Sequence, residues 1–377
     1  MNRRNFLQAA GLLSAGFAFP KSASLFARES QTAAAPTAWR TFEVTTRVEI
    51  LKPSGVTRIW LPAALTSETP FQKTLSNNFN VEAGSAKLIE SKPDSLGIIS
   101  AEFPEGAKPV LVSTSRINTR NYAVDFFAPG KAGNANAPKE TRADLDYFLR
   151  PTKLIPTDGV VKEKADEIIA KANADTDVGK ARAIYEWVVV NTFRNPKTRG
   201  CGTGDIRFML ETGDLSGKCA DLNALYVGLA RAAGLPARDV YGIRVAPSEL
   251  GYKSLGPATE NITKAQHCRA EVYLSSYGWV PVDPADVRKV VLEEPPGNRP
   301  LNDELIKKTR ARLFGSWEMN WMAYNFAHDV ALPGSTGAPV GFLMYPQAET
   351  NQGRIDSLDP DNFKYEITAR EITPAAS

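Results

Sequence analysis

Histidine and cysteine are scarce in this chain: 377 residues hold two of the first and three of the second. Three cysteines cannot build the paired framework of a small disulfide-stapled fold. No two of them stand as C-x-x-C, so the usual zinc ribbon and finger spacings are excluded, and the one zinc arrangement left open uses all three cysteines with one histidine. Excess charge is missing too. Lys and Arg number 45 against 42 Asp and Glu, a formal net charge of +3. Residues 1–30 carry Arg3, Arg4, Lys21 and Arg28 against Glu29, so without them the rest is near neutral and offers no basic patch for nucleic acid or an anionic membrane. Beyond the first residues no apolar run is long enough to span a bilayer, and no internal repeat is visible. The chain does have apolar residues for a sizeable core, 43% hydrophobic against 23% charged, and a length suited to two domains or one large one.

The first residues read "MNRRNFLQAAGLLSAGFAFPKSAS". Two arginines, a short apolar stretch, a proline and small residues have the order of an export signal, and "NRRNFLQ" resembles a twin-arginine signal. Residues 1–30 are therefore expected to direct the chain to the periplasm or outside the cell, with cleavage after Ser24 or within "TAAA". No cysteine follows the apolar stretch, which argues against a lipid anchor, and no stable membrane span is expected once the signal is removed. A buried N-terminal helix is the competing reading.

From residue 36 to 128 the apolar pattern has period two. "FEVTTRVEIL" alternates Phe42, Val44, Thr46, Val48 and Ile50, and "VTRIWLP", "LGIISAEF", "PVLVSTSRI" and "YAVDFF" follow between turn residues. This predicts a β-sandwich domain with no evident chemistry of its own. Residues 129–144, rich in Gly, Ala, Asn and Pro, are expected to form a linker. From 145 to 377 helical patterns precede strand patterns, which predicts an α+β domain with a helical layer on an antiparallel sheet. Its helices put Val161, Ala165, Ile168, Ile169 and Ala172 on one face, and Ala181, Ile184, Tyr185, Val188 and Thr192 on another, the second capped by Asp177. "HCRAEVYL" and "GWVPVDP" form a hairpin around "SSYG", and the tail adds strand-like runs in "AYNFAHDVAL", "GFLMYP" and "FKYEITAREI".

The chemistry concentrates in "SGKCADLNALYVGLARAAG". Leu222, Leu225, Tyr226, Leu229 and Ala233 recur at helical spacing, Ser216 can cap the start, and Gly234 with Pro236 ends the helix. Cys219 then falls at the third helical position. Free backbone N–H groups and the positive end of the helix dipole favour a thiolate there, and one N–H could hold an oxyanion. Of the two histidines, His267 opens the hairpin whose second strand ends at Asp283. An odd-length loop or one bulge near Gly278 would put both on one face, so that Asp283 orients the imidazole.

These three blocks, "GKCADLNALYVGLARAAGLPAR", "HCRAEVYL" and "GWVPVDP", resemble the signature blocks of the bacterial transglutaminase-like (transglutaminase core) family. The resemblance covers residues 145–377 and implies a papain-like cysteine-protease fold with a Cys–His–Asp triad. Carried over block by block, it makes Cys219 the nucleophile, His267 the base and Asp283 the orienting carboxylate.

Asp205, Arg207 and Asp214, in the loop before Cys219, are candidate substrate contacts, with surface ion pairs as the alternative. His328 reads as a structural residue, paired with Asp329. Cys268, one residue after His267 on a strand, should point to the opposite face, where it could pair with Cys201. A disulfide using Cys219 would imply redox control. The function expected is an exported cysteine acyl-transfer enzyme acting on amide bonds of peptides or proteins through a thioester. Hydrolysis is favoured over transamidation, and no cofactor or metal is required. A non-catalytic periplasmic binding or assembly protein with the same fold is the alternative.

Overall fold

The computed structural model describes residues 38–127 and 140–372. The expected export signal and residues 129–139 of the expected linker lie outside the described residues. The end of that linker is a helix, α1 (Arg142–Tyr147), where Thr141 and Asp144 bond each other's backbone N–H in a capping box.

The period-two segments form β1 (Arg40–Ile50), β2 (Thr57–Pro62), β3 (Gln72–Val81), β4 (Ser85–Ser91), β5 (Leu96–Phe103) and β6 (Val110–Thr119). They are not a complete sandwich. Three C-terminal strands, β15 (Gln347–Thr350), β16 (Gly353–Ile355) and β17 (Phe363–Glu371), return to finish it. One sheet runs β17-β1-β6-β3 and the other β16-β15-β2-β5-β4. Their inner faces share one core, with Val48, Leu111 and Phe363 from the first sheet against Ile59, Ile99 and Ala348 from the second. A boundary at residue 145 therefore does not divide the strands. β1 needs a partner on its second edge, and β17 supplies it from Phe42↔Glu371 to Ile50↔Phe363. Pairing between segments so far apart leaves no local pattern to read. "GFLMYP", expected as a strand, is irregular; β15 starts just after it.

The remaining elements make the α+β unit. Helices α2 (Gly159–Ala172) and α3 (Asp177–Asn191) bury Val161, Ala165 and Ile168, and Ala181, Ile184, Tyr185 and Val188. Thr176, not Asp177, caps α3, accepting the Gly179 N–H at 3.1 Å. After β8 (Phe193–Arg194), α4 (Ile206–Thr212) and β9 (Ser216–Gly217) comes α5 (Cys219–Ala232). Behind it stands an antiparallel sheet of order β12-β11-β10-β14, built from β10 (Ala237–Arg244), β11 (Arg269–Leu274), β12 (Gly278–Val282) and β14 (Trp321–Asn325). Helices α6 (Pro284–Glu293) and α7 (Glu304–Arg312) complete the layer. All 14 residues of α5 are buried, because β10 and β11 cover one side and α2, α3, α4 and α6 the others.

The returning strands make a direct prediction. A chain ended after Pro346 should lose the cooperative thermal unfolding of the sandwich, and an unchanged melt would contradict the pairing described.

Candidate active site

Helix α5 begins at Cys219 itself, so the cysteine is the first helical residue rather than the third, and Lys218 rather than Ser216 is the cap. Asp221 explains the difference. One of its oxygens accepts the Lys218 N–H at 2.9 Å, fixing the start of the helix. The other accepts the N–H groups of Thr203 and Gly204, both at 2.9 Å, and so ties the preceding loop to the helix tip. Ser216 and Gly217 pair instead in parallel with β8. A Cβ at Gly202, whose φ is +96°, or at Gly217 would lie 1.8 or 2.5 Å from an Asp221 oxygen, so only glycine fits at either place.

The loop delivers a second cysteine. The Cys201 carbonyl accepts the Ala220 N–H at 3.0 Å, which sets Cys201 against the helix tip. Cys201, Cys219 and Cys268 lie in one buried cluster at the helix tip, with His267 near enough to favour the thiolate of Cys219. The neighbouring polar groups, Cys201 first, then Cys268 and His267, hold Cys219 well below the ordinary thiol range although burial opposes them. The thiols of Cys201 and Cys268 are pushed up, Cys201 by Cys219 beside it and by burial, Cys268 by burial and by Cys219. All three cysteines are free. Cys268 therefore lies on the same side as Cys219 and not on the far side of the strand. β11 becomes regular only at Arg269, so strict alternation does not govern the two residues before it.

His267 enters from the sheet. Its N–H donates to the Gly242 carbonyl at 3.0 Å, and its own carbonyl accepts the Trp321 indole N–H at 2.9 Å. The hairpin from β11 to β12 pairs Leu274 with Gly278, so residues 275–277 form a three-residue loop, the odd length that parity requires. Gly278 has φ +71°. That register sets Asp283 just beyond the Ala270↔Val282 pair, on the histidine's face. His267 Nε2 lies 2.8 Å from Asp283 Oδ2. The other Asp283 oxygen caps α6, accepting the Asp286 N–H at 3.0 Å and a bond from Asn223 Nδ2 at 3.3 Å. Burial and Arg244 push the imidazole toward neutrality, but Asp286 and Asp283 outweigh them, and its pKa is raised.

Two further side chains join the site without being among the sequence candidates. Asn223 stands one helical turn after Cys219 and binds the Cys268 carbonyl at 2.8 Å as well as Asp283, so it joins α5 to both other arms of the site. A buried asparagine at i+4 from the cysteine was the available signal. Asp286, three residues after Asp283, lies 3.3 Å from His267 Nε2 and bonds Arg244 at 2.6 Å.

The loop candidates do other work. Asp205 caps α4 by accepting the Phe208 N–H at 3.1 Å, Arg207 pairs with Asp158 at 3.3 Å, and Asp214 accepts the Ser216 N–H at 3.0 Å. Those bonds shape the loop and do not run to the thiol or the imidazole. His328 is paired with Asp239, 3.2 Å away, and not with Asp329, whose carboxylate accepts the Lys153 N–H. The sandwich contributes a wall: Phe42, Val44, Ile117 and Ile367 share one apolar cluster with Cys201 and Cys219.

His267, Asp283 and Asp286 place one ligand atom each within 4.8 Å of one another, a spacing a metal could use. Arg244 and Arg269 already face those carboxylates at 2.6 and 3.6 Å and supply the cationic charge, so the donor set does not fit a metal. Replacing Asp221 by alanine should cost roughly 3 kcal/mol in urea unfolding, because buried N–H groups lose their acceptor. A loss under about 0.5 kcal/mol would contradict its anchoring role.

Comparison with known proteins agrees with this architecture. Residues 162–284 match the family model of the transglutaminase-like superfamily (Transglut_core). An uncharacterized protein of Haemophilus influenzae is 35% identical over 346 residues, spanning 88% of this chain and 91% of its own. The crystal structure of a candidate cysteine protease from Cytophaga hutchinsonii shares the fold at TM-score 0.53 with 14% identity, covering 91% of this chain and 94% of that one. The periplasmic domain of TgpA from Pseudomonas aeruginosa is more distant, at TM-score 0.32 and 15% identity over 71% of this chain and 92% of that one. With Cys219, His267 and Asp283 all inside the matched residues, the chain carries a domain of the transglutaminase-like superfamily over residues 162–284.

Proposed function

We propose that this chain is an exported cysteine acyl-transfer enzyme that cleaves amide bonds of peptide or protein substrates, with Cys219 as nucleophile, His267 as base and Asp283 as the orienting carboxylate. The observation that carries the reading is the 2.8 Å bond from His267 Nε2 to Asp283 Oδ2 beside Cys219 at the tip of α5, whose thiol pKa is lowered. Nε2 of His267 is committed to Asp283, which leaves Nδ1 to take the thiol proton. The thiolate sulfur adds to the amide carbonyl carbon and the carbonyl π electrons move to oxygen. The Ala220 N–H is taken by Cys201, and those of Asp221 and Leu222 by the Lys218 carbonyl, which leaves the Cys219 amide to receive the oxyanion. Collapse returns the electron pair, breaks the C–N bond and passes the proton from Nδ1 to the leaving amine. Water, deprotonated by the same nitrogen, then attacks the thioester and releases the acid and the thiol. Hydrolysis is favoured over transfer to an amine because water is the abundant acceptor unless a site excludes it.

Export rests on the twin-arginine-like start and places the enzyme in the periplasm or outside the cell; a fusion of residues 1–30 to a reporter tests it. Asp205, Arg207 and Asp214 are the substrate contacts in this reading, on a loop that their own bonds shape.

Iodoacetamide at pH 6 should modify Cys219 and spare Cys201 and Cys268, whose thiols are pushed up. Cys219→Ser should abolish both labelling and peptide hydrolysis, and His267→Ala should lower hydrolysis by about 1000-fold or more. Equal, slow labelling of all three thiols would favour a non-catalytic binding protein.

A further inference from the structure

We infer that Asp286 and Arg244 are a positioning pair for His267: Asp286 is a second carboxylate on the imidazole, and Arg244 limits how much of its charge the imidazole feels. The inference rests on the reading of Cys219 and His267 as nucleophile and base.

The pair is set apart from an ordinary buried ion pair by a shared atom. Oδ1 of Asp286 lies 2.6 Å from the Arg244 guanidinium and 3.3 Å from His267 Nε2. That nitrogen is the one bound to Asp283, so two carboxylates converge on the same N–H. One member of the pair is held from outside the site and the other from within it. Arg244, at the end of β10, donates to the Leu255 carbonyl at 2.8 Å, and the Asp286 backbone N–H is fixed on Asp283. Both side chains are buried, at 4% and 2% exposure, so their charges act on the imidazole with little screening by water.

The charged and titratable groups facing His267 come from every element around it. Cys219 comes from α5, Asp283 from the end of β12, Asp286 from α6, Arg244 from β10 and Arg269 from β11. Glu318 stands further out, behind Arg269. With the proton on the imidazole, three cations (His267, Arg244 and Arg269) meet three anions (the Cys219 thiolate, Asp283 and Asp286). Asp283 alone would leave the set one positive charge in excess, and that excess would push the proton off His267. Asp286 removes it. The pair therefore keeps the thiolate–imidazolium state favourable in an interior where burial opposes every charge.

The test is titration of the His267 ring by nitrogen-15 NMR in wild type, Asp286→Asn, Arg244→Met and the double variant, beside iodoacetamide labelling of wild type. Asp286→Asn should lower the His267 midpoint by about one pH unit or more, and Arg244→Met should raise it. The double variant should return close to wild type. Opposite shifts that cancel cannot come from a general loosening of the core. Single variants that leave the midpoint in place, or move it the same way, would overturn the inference while reactive Cys219 in wild type keeps the enzyme reading intact. An unreactive Cys219 with an unshifted His267 in wild type would overturn that reading and this inference together. Should neither single variant fold, a double variant that does fold supports the pair, and one as unstable as the singles overturns it.

Discussion

The hydrogen bond from His267 Nε2 to Asp283 Oδ2 ties together the open end of one hairpin, and much of the molecule is arranged to bring its two ends into place. Asp283 is placed by the hairpin register and held by capping α6. His267 is placed by its backbone bonds to Gly242 and Trp321 on the neighbouring strands. Asn223 reaches from α5 to both arms, so the helix that carries Cys219 also braces Cys268 and Asp283. A shift in any of these supports would reach the sulfur through the imidazole.

Burial makes this economy of contacts necessary. Cys219, His267 and Asp283 are all nearly inaccessible to water, and an unpaired charge in such a place is costly. The structure answers by making the charges partners of one another. Arginines 244 and 269 face the carboxylates, and the neighbouring thiols and the imidazole stabilise the thiolate. Cys219 is held below the ordinary thiol range, while burial and Cys219 itself push the two flanking thiols above it.

What the sequence revealed and what it hid follow the range of the interactions. Helix α5 was legible because its apolar spacing is local, and the hairpin was legible because a turn separates its strands by three residues. The three site residues could be named because each sits in such a segment. The start of α5 was misread by two residues because Asp221, a side chain inside the helix, competes with Ser216 for the capping role. Cys268 was assigned to the wrong face because a strand pattern was extended past the point where pairing begins. The return of β15 to β17 into the sandwich depends on edges formed by distant strands, and the sandwich's part in walling the site follows from that return.

The central claim is that one proton is shared between Cys219 and His267, so that the resting site holds a thiolate and an imidazolium. Thiolate ultraviolet absorbance, followed through a pH titration as the difference between wild type and Cys219→Ser, measures this directly. The account predicts one thiolate already present at pH 6 that disappears with the substitution. A difference signal that rises only near the ordinary thiol value of about 8.5 would contradict it.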